Sequence, residues 1–164
     1  AHQNVSISDV VRQAEHLRLP LIGVPLDKSE GSSYVDRLQT ALLLLKGADI
    51  ESVVFGDLHL ESIRNWREVH VGPQLGCLLE YPLWQNDYQD LVSDLDRSEV
   101  PCRISAVEAA VAGVEVGMLF DADLRRCAVA SGFDEFGEKG EFHSLAHVWD
   151  APRNRALGLA ESTT

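Results

Sequence analysis

"ESVVFGD", residues 51–57, decides how the rest of the chain reads. Val53, Val54 and Phe55 make an apolar run too short for a helix, and Gly56-Asp57 ends it abruptly. β-Branched and aromatic residues in such a run predict a buried strand. Helical spacing flanks it. "SSYVDRLQTALLLLKG" (32–47) puts Tyr34, Leu38, Ala41, Leu42 and Leu45 on one stripe and stops at Gly47. "LESIRNWREVHV" (60–71) turns helical again.

Working outward, "SISDVVRQAEHLRL" (6–19) predicts a helix with Val10, Val11, Ala14 and Leu17 on its stripe. Ser6 or Ser8 offers its cap and Pro20 its end. "LIGVPL" (21–26) reads as another buried strand. The order is α, β, α, β, α, and helices between apolar strands predict a parallel sheet with crossover helices.

A second half begins near Gly76. "CLLEYPLW" (77–84) is extended, with Pro82 excluding a central strand position. "NDYQDLVSDLDR" (86–97) predicts a helix capped by Asn86, with Tyr88, Leu91, Val92 and Leu95 inward. "VPCRISAV" (100–107) and "FHSLAHVW" (142–149) predict strands. "DADLRRCAVASG" (121–132) is a helix stopped by Gly132, and residues 153–164 read as a loose tail. The expected division is 1–75, 76–152 and that tail.

The chain has 164 residues, 45% apolar and 24% charged, and a net charge of −12. No apolar run reaches the roughly 18–20 residues that span a bilayer. No charged start precedes an apolar core, so neither a signal peptide nor a membrane partner is expected. The acidic balance disfavours nucleic acid. Cys77, Cys102 and Cys127 are odd in number and far apart, which predicts buried or inert thiols in a reducing, cytoplasmic compartment.

Ligands of open α/β sheets bind beyond the carboxyl ends of the strands. Asp57 falls at such an end, and Gly56 leaves room beside the backbone. Glu61 and Arg64 share a face of the next helix. Such a carboxylate suits Mg²⁺ or a substrate hydroxyl or amine. The plainer alternative is a helix cap by Asp57 and a surface Glu61–Arg64 ion pair. As an exposed residue, Asp57 would tolerate Ala at a cost of about 0.5 kcal/mol or less. Tyr81, Trp84 and Trp66 are either core or an aromatic platform or cage for an adenine or a quaternary ammonium. His143 and His147 sit four apart, roughly 13 Å along a strand, too far to chelate one ion. No G-x-G-x-x-G or Walker-type loop occurs.

Three blocks together, "VVFGDLHLESIRNWREVHVGPQLG" (53–76), "EYPLWQNDYQDLV" (80–92) and "FDEFGEKGEFHS" (133–144), resemble the diphthine–ammonia ligase family of PP-loop ATPases. The resemblance runs from about His2 to Pro152. It implies a Rossmann-like (HUP-type) α/β domain with a parallel sheet, N-terminally truncated, followed by a smaller α/β substrate-binding domain. It implies an amide ligase that activates a carboxylate with ATP and Mg²⁺ and then admits ammonia. The family's best-known substrate is a modified residue of translation elongation factor 2. Carried over, Gly56, Asp57, Glu61 and Arg64 would line the nucleotide side. Tyr81, Pro82, Leu83 and Trp84 would shape the junction and contact substrate. Gly137 and Gly140 would form the substrate rim, where Glu138, Glu141 and His143 would be catalytic. The family's S-G-G-x-D-S-like phosphate loop has no counterpart, since the chain contains no Gly-Gly. The expectation is therefore a chain that does not hydrolyse ATP alone and whose loop lies in a missing segment or a second polypeptide, with homo-oligomers as an option. The alternative is a degenerate, non-catalytic binding subunit.

Overall fold

A computed structural model describes residues 4–24, 34–46, 50–75, 78–108 and 113–158. The fold is mixed α/β with two small sheets. Its contacts divide into two units, Ile22–Asp87 and Ala1–Leu21 with Tyr88–Thr164. The sequence division at 75/76 differs from this in two places: the first helix goes with the C-terminal residues, and Leu78–Glu80 pair with Ser52–Val54.

In the unit Ile22–Asp87, α2 (Tyr34–Lys46) leads to β1 (Ser52–Val54), α3 (Glu61–His70), α4 (Gly72–Leu75) and β2 (Leu78–Glu80). β1 and β2 pair in parallel, Val53 opposite Leu79. Buried Leu42 and Val71 centre the core, with Leu45, Val53, Phe55, Trp66 and Leu79 packed round them. Trp66 is thus a core aromatic, and its ring tilts against His70. Ala41 and Leu42 are buried as the stripe predicts; the Tyr34 and Leu38 side chains, and Gly47, lie outside the described residues. Leu21 to Val24 form no strand, and Leu21, Ile22 and Val24 are exposed. Apolar composition supplied a strand-like run there, but a strand needs a ladder partner, and Pro20 cannot donate to one. Pro25 and Leu26 lie outside the described residues.

In the other unit, α1 (Ile7–Leu17) starts where the Ser6 hydroxyl accepts the Asp9 amide at 3.0 Å. Its stripe is only partly covered, with no fully buried residue and Val11 exposed. α5 (Tyr88–Ser98) follows, then β3 (Cys102–Val107), α6 (Ala122–Ala130), β4 (Phe142–Ala146), a 3-10 turn at Val148–Asp150 and α7 (Arg153–Ala156). Asn86 does not cap α5; its amide donates back to the Pro82 carbonyl at 3.2 Å. β3 and β4 pair antiparallel, with an irregularity between Ile104 and Ala106 that leaves Ser105 out of register. Asp121 caps α6 through the Leu124 amide, and Gly132 ends it at φ +81°. Ile104, Val114, Phe120, Leu124, Ala128 and Phe142 form this core. The segment read as a loose tail begins with α7, whose Arg153 donates to the Leu17 carbonyl at 2.9 Å; residues 159–164 lie outside the described residues. Cys102 is half-buried and burial raises its thiol pKa, while Cys127 is exposed, so of the expected buried or inert thiols it is not a buried one. α6 turns Leu124 and Ala128 inward and leaves Cys127 outside, while Cys77 is outside the described residues.

Candidate functional site

Each unit holds one of the groups that the sequence singles out. In the unit Ile22–Asp87, β1 ends at Val54 and the chain passes through Phe55 and Gly56 to Asp57. Asp57 is neither free nor a cap: α3 starts at Glu61, its N-cap position is Leu60 with no side-chain cap, and the Asp57 carboxylate grips Arg67. Arg67 Nε reaches Oδ2 at 2.7 Å and Nη2 reaches Oδ1 at 3.0 Å. The guanidinium also lies 4.3 Å from the centroid of Phe55. Such a two-pronged, charge-assisted pair fixes direction as well as charge. It is mostly shielded, with side-chain exposures of 24% for Arg67 and 14% for Asp57. The end of β1 and the middle of α3 are clamped together by this pair.

The other predicted residues of this unit gather one helical turn away. Arg64 places its guanidinium 4.7 Å from the Tyr81 ring centroid and 4.8 Å from that of Trp84. Its carboxylate neighbour is Glu68 at 3.8 Å, so the Glu61–Arg64 pair of the plainer alternative gives way to one a turn further on. Tyr81 stacks on Phe55 at 5.7 Å and meets Trp84 edge-on at 6.3 Å. The Tyr81 hydroxyl is buried without a hydrogen-bond partner. Burial, then the carboxylates of Glu68 and Asp57, raise its pKa above the usual 10.0, while Arg64 and Arg67 pull the other way. Glu61, Arg64, Asn65, Glu68, Trp84 and Gln85 line an open polar cleft of about 460 Å³. A second hollow, of about 230 Å³, is apolar and includes Leu42, Leu45, Val53, Phe55 and Arg67.

In the other unit, "GEKGEFHS" forms a closed turn running into β4. Gly137 and Gly140 take φ of +72° and +86°, and the Gly140 amide donates to the Gly137 carbonyl at 2.9 Å. Phe142, the first residue of β4, is buried. Glu141, at 9% exposure, is buried too. Its Oε1 accepts the Asp134 amide at 3.0 Å, and its Oε2 is buried without a partner. Asp134 in turn accepts the amides of Phe136 at 2.9 Å and Glu138 at 3.3 Å. The Tyr88 hydroxyl donates to the same carboxylate at 3.0 Å. Glu138 is half-buried on this turn; His143 stands on β4 with a buried Nε2 that has no partner.

Sequence reasoning missed Arg67, Tyr88, Asp134 and Arg125. Arg125 is buried on α6 and binds Asp96, with Glu135 at 3.8 Å. Arg67, Tyr88 and Asp134 each lie inside one of the three resembling blocks, and Arg125 lies in none. Arg67 stands ten positions after Asp57, across a strand–helix turn, where no spacing rule applies.

The Tyr88 contact carries a pH signature. Burial, then the Asp134 hydrogen bond and charge, push the Tyr88 phenol well above its usual 10.0. Ionisation is thus harder in the folded than in the unfolded chain. The stabilisation is complete below about pH 10 and is lost as pH rises above it, because the unfolded phenol ionises first. Tyr88→Phe should make the fall in stability between about pH 10 and 11 shallower, checked by urea midpoints at each pH.

No protein-family model matches the chain, and no curated protein matches it.

Proposed function

We propose that the chain is part of an ATP-dependent amide ligase of the diphthine–ammonia ligase type. The observation that carries this is the position of Gly56-Asp57 just past the carboxyl end of a strand with a parallel partner, where α/β proteins bind ligands. On this reading, Ile22–Asp87 belongs to a Rossmann-like (HUP-type) sheet. The apolar hollow with Arg67 at its wall suits the flat, largely apolar face of an adenine. Asp57 is committed to Arg67, so its part in nucleotide binding is to hold the strand end and that cation in place. Glu61 on the cleft is the carboxylate left to approach Mg²⁺.

The reaction attaches the substrate carboxylate to the α-phosphorus of ATP with loss of pyrophosphate. Ammonia then attacks the acyl carbon, AMP leaves with the C–O bonding pair, and a base takes the extra proton. Glu141 Oε2 and His143 Nε2, both buried and unpartnered, are the acceptors for ammonia and that proton. Gly137 and Gly140 hold the turn that carries Glu138 toward substrate. Tyr81 and Trp84 provide the aromatic wall, and the substrate is a carboxylate, with elongation factor 2 as the leading protein partner. A second reading, a non-catalytic binding subunit, draws support from Glu141, whose Oε1 serves the Asp134 amide as a purely structural residue would.

One measurement tests the missing phosphate turn and a second separates these readings. The isolated chain titrated calorimetrically with Mg-ATP is expected to bind weakly or not at all, because it lacks a Gly-Gly phosphate turn. The complete gene product should form AMP in an ammonia-dependent reaction, and Glu141→Gln should lower that rate by roughly 100-fold or more with an unchanged urea midpoint. Wild-type turnover in this variant would make Glu141 a structural residue of the turn, and absence of ammonia-dependent AMP formation by the complete gene product would favour the binding subunit.

A further inference from the structure

Two arginines one turn apart on α3 are held in opposite ways. Arg67 is fixed by two hydrogen bonds from its guanidinium to Asp57 and by Phe55. Arg64 has two aromatic rings and no such grip. Its nearest carboxylate oxygen, on Glu68, is 3.8 Å away, beyond hydrogen-bond length, and among the described residues no hydrogen bond reaches its guanidinium. Its side chain keeps 35% exposure and opens onto the polar cleft.

A guanidinium between aromatic faces with a carboxylate beside it is how proteins receive a weakly hydrated organic cation. Here the cation belongs to the chain itself. We propose that Tyr81, Trp84 and Glu68 form a binding site for a guanidinium group, filled by Arg64 in the free chain. An incoming guanidinium displaces Arg64 into the adjoining cleft, where Glu61, three positions earlier on the same helix face, receives it. The net charge of −12 favours the approach of such a cation. Arg64 is then a displaceable plug, and ligand affinity is reduced by its competition. A tethered competitor acts at an effective concentration on the order of millimolar. The inference goes beyond the ligase reading and stands without it, since neither ATP nor amide formation enters its test.

The probe is methylguanidinium chloride, with tetramethylammonium and sodium chlorides as references, followed through the Trp84 indole N–H signal in NMR. In Arg64→Ala, methylguanidinium should shift that signal saturably, at least about tenfold more tightly than in the wild type. Glu68→Gln in the same background should weaken it. In the wild type, higher concentrations should move the Trp84 indole and Arg64 Nε–H signals together, a readout that needs no variant to fold. An equal response to tetramethylammonium would overturn the guanidinium assignment. Saturation in Arg64→Ala with none in the wild type would make Arg64 a permanent clamp and overturn the exchange. An arginine-containing peptide binding tighter than methylguanidinium identifies a polypeptide source; equal or weaker binding identifies a small molecule, and both rankings support the site.

Discussion

Gly137→Ala is expected to destabilise the unit that contains it by about 2–5 kcal/mol, the sum of two separate costs. The backbone stands at φ +72°, where a side chain is strained. The added Cβ would also lie 2.6 Å from the Phe142 carbonyl oxygen and 3.0 Å from two atoms of the Phe142 ring. Phe142 is among the most buried side chains, at 1% exposure, so it cannot step aside without opening the core of its unit. Gly140 is the internal control. Its φ is +86°, but nothing lies within 4 Å of the position a Cβ would take there, so Gly140→Ala carries the backbone cost of about 1–2 kcal/mol alone. Urea unfolding of the two variants should show Gly137→Ala clearly the weaker. Equal midpoints would mean that the packing against Phe142 contributes nothing.

Asp57→Ala should cost about 1.5–3 kcal/mol, the range for hydrogen bonds to charged groups, in place of the small loss expected for an exposed strand-end carboxylate. Two hydrogen bonds disappear, and Arg67 stays over Phe55 without this carboxylate. Arg67 is partly exposed and can regain some water, which keeps the cost below that of a fully buried pair. The check is a double-mutant cycle with Arg67→Ala: the double variant should lose clearly less than the sum of the single ones. Additive losses would show that the pair contributes no coupling. The result also bears on the ligase reading, because an activity loss in Asp57→Ala must be normalised to folded protein.

Local chemistry in the sequence carried much of this fold. The helical stripes, the Ser6 cap, the Gly132 stop and the apolar segments of β1, β3 and β4 all follow from spacing and residue type, which act over a few positions. Strand direction does not. "VPCRISAV" and "FHSLAHVW" alternate in the same way whether they run parallel or antiparallel, and the intervening α6 suits either. Leu21 to Val24 have the composition of a strand without the pairing, which depends on a partner elsewhere in the chain. At the candidate site, Gly56-Asp57 and the Gly137–Gly140 turn were legible because glycine at a strand end or tight turn has a local cause. The Asp57–Arg67 and Tyr88–Asp134 contacts were not, since each depends on where two elements meet.

Docking of α1 in its unit has a temporal consequence. Gln13 Nε2 donates to the Ala146 carbonyl at 2.7 Å across 133 positions, and Arg153 reaches back to Leu17 across 136. During synthesis, the helix emerges well over a hundred positions ahead of Ala146 and Arg153 and waits until those partners exist. Closing so long a flexible loop costs on the order of 4 kcal/mol in chain entropy, reduced to the extent that Ile22–Asp87 has already folded. Nascent chains stalled before residue 140 should therefore carry α1 exposed to chaperones and proteases, even with the intervening unit complete.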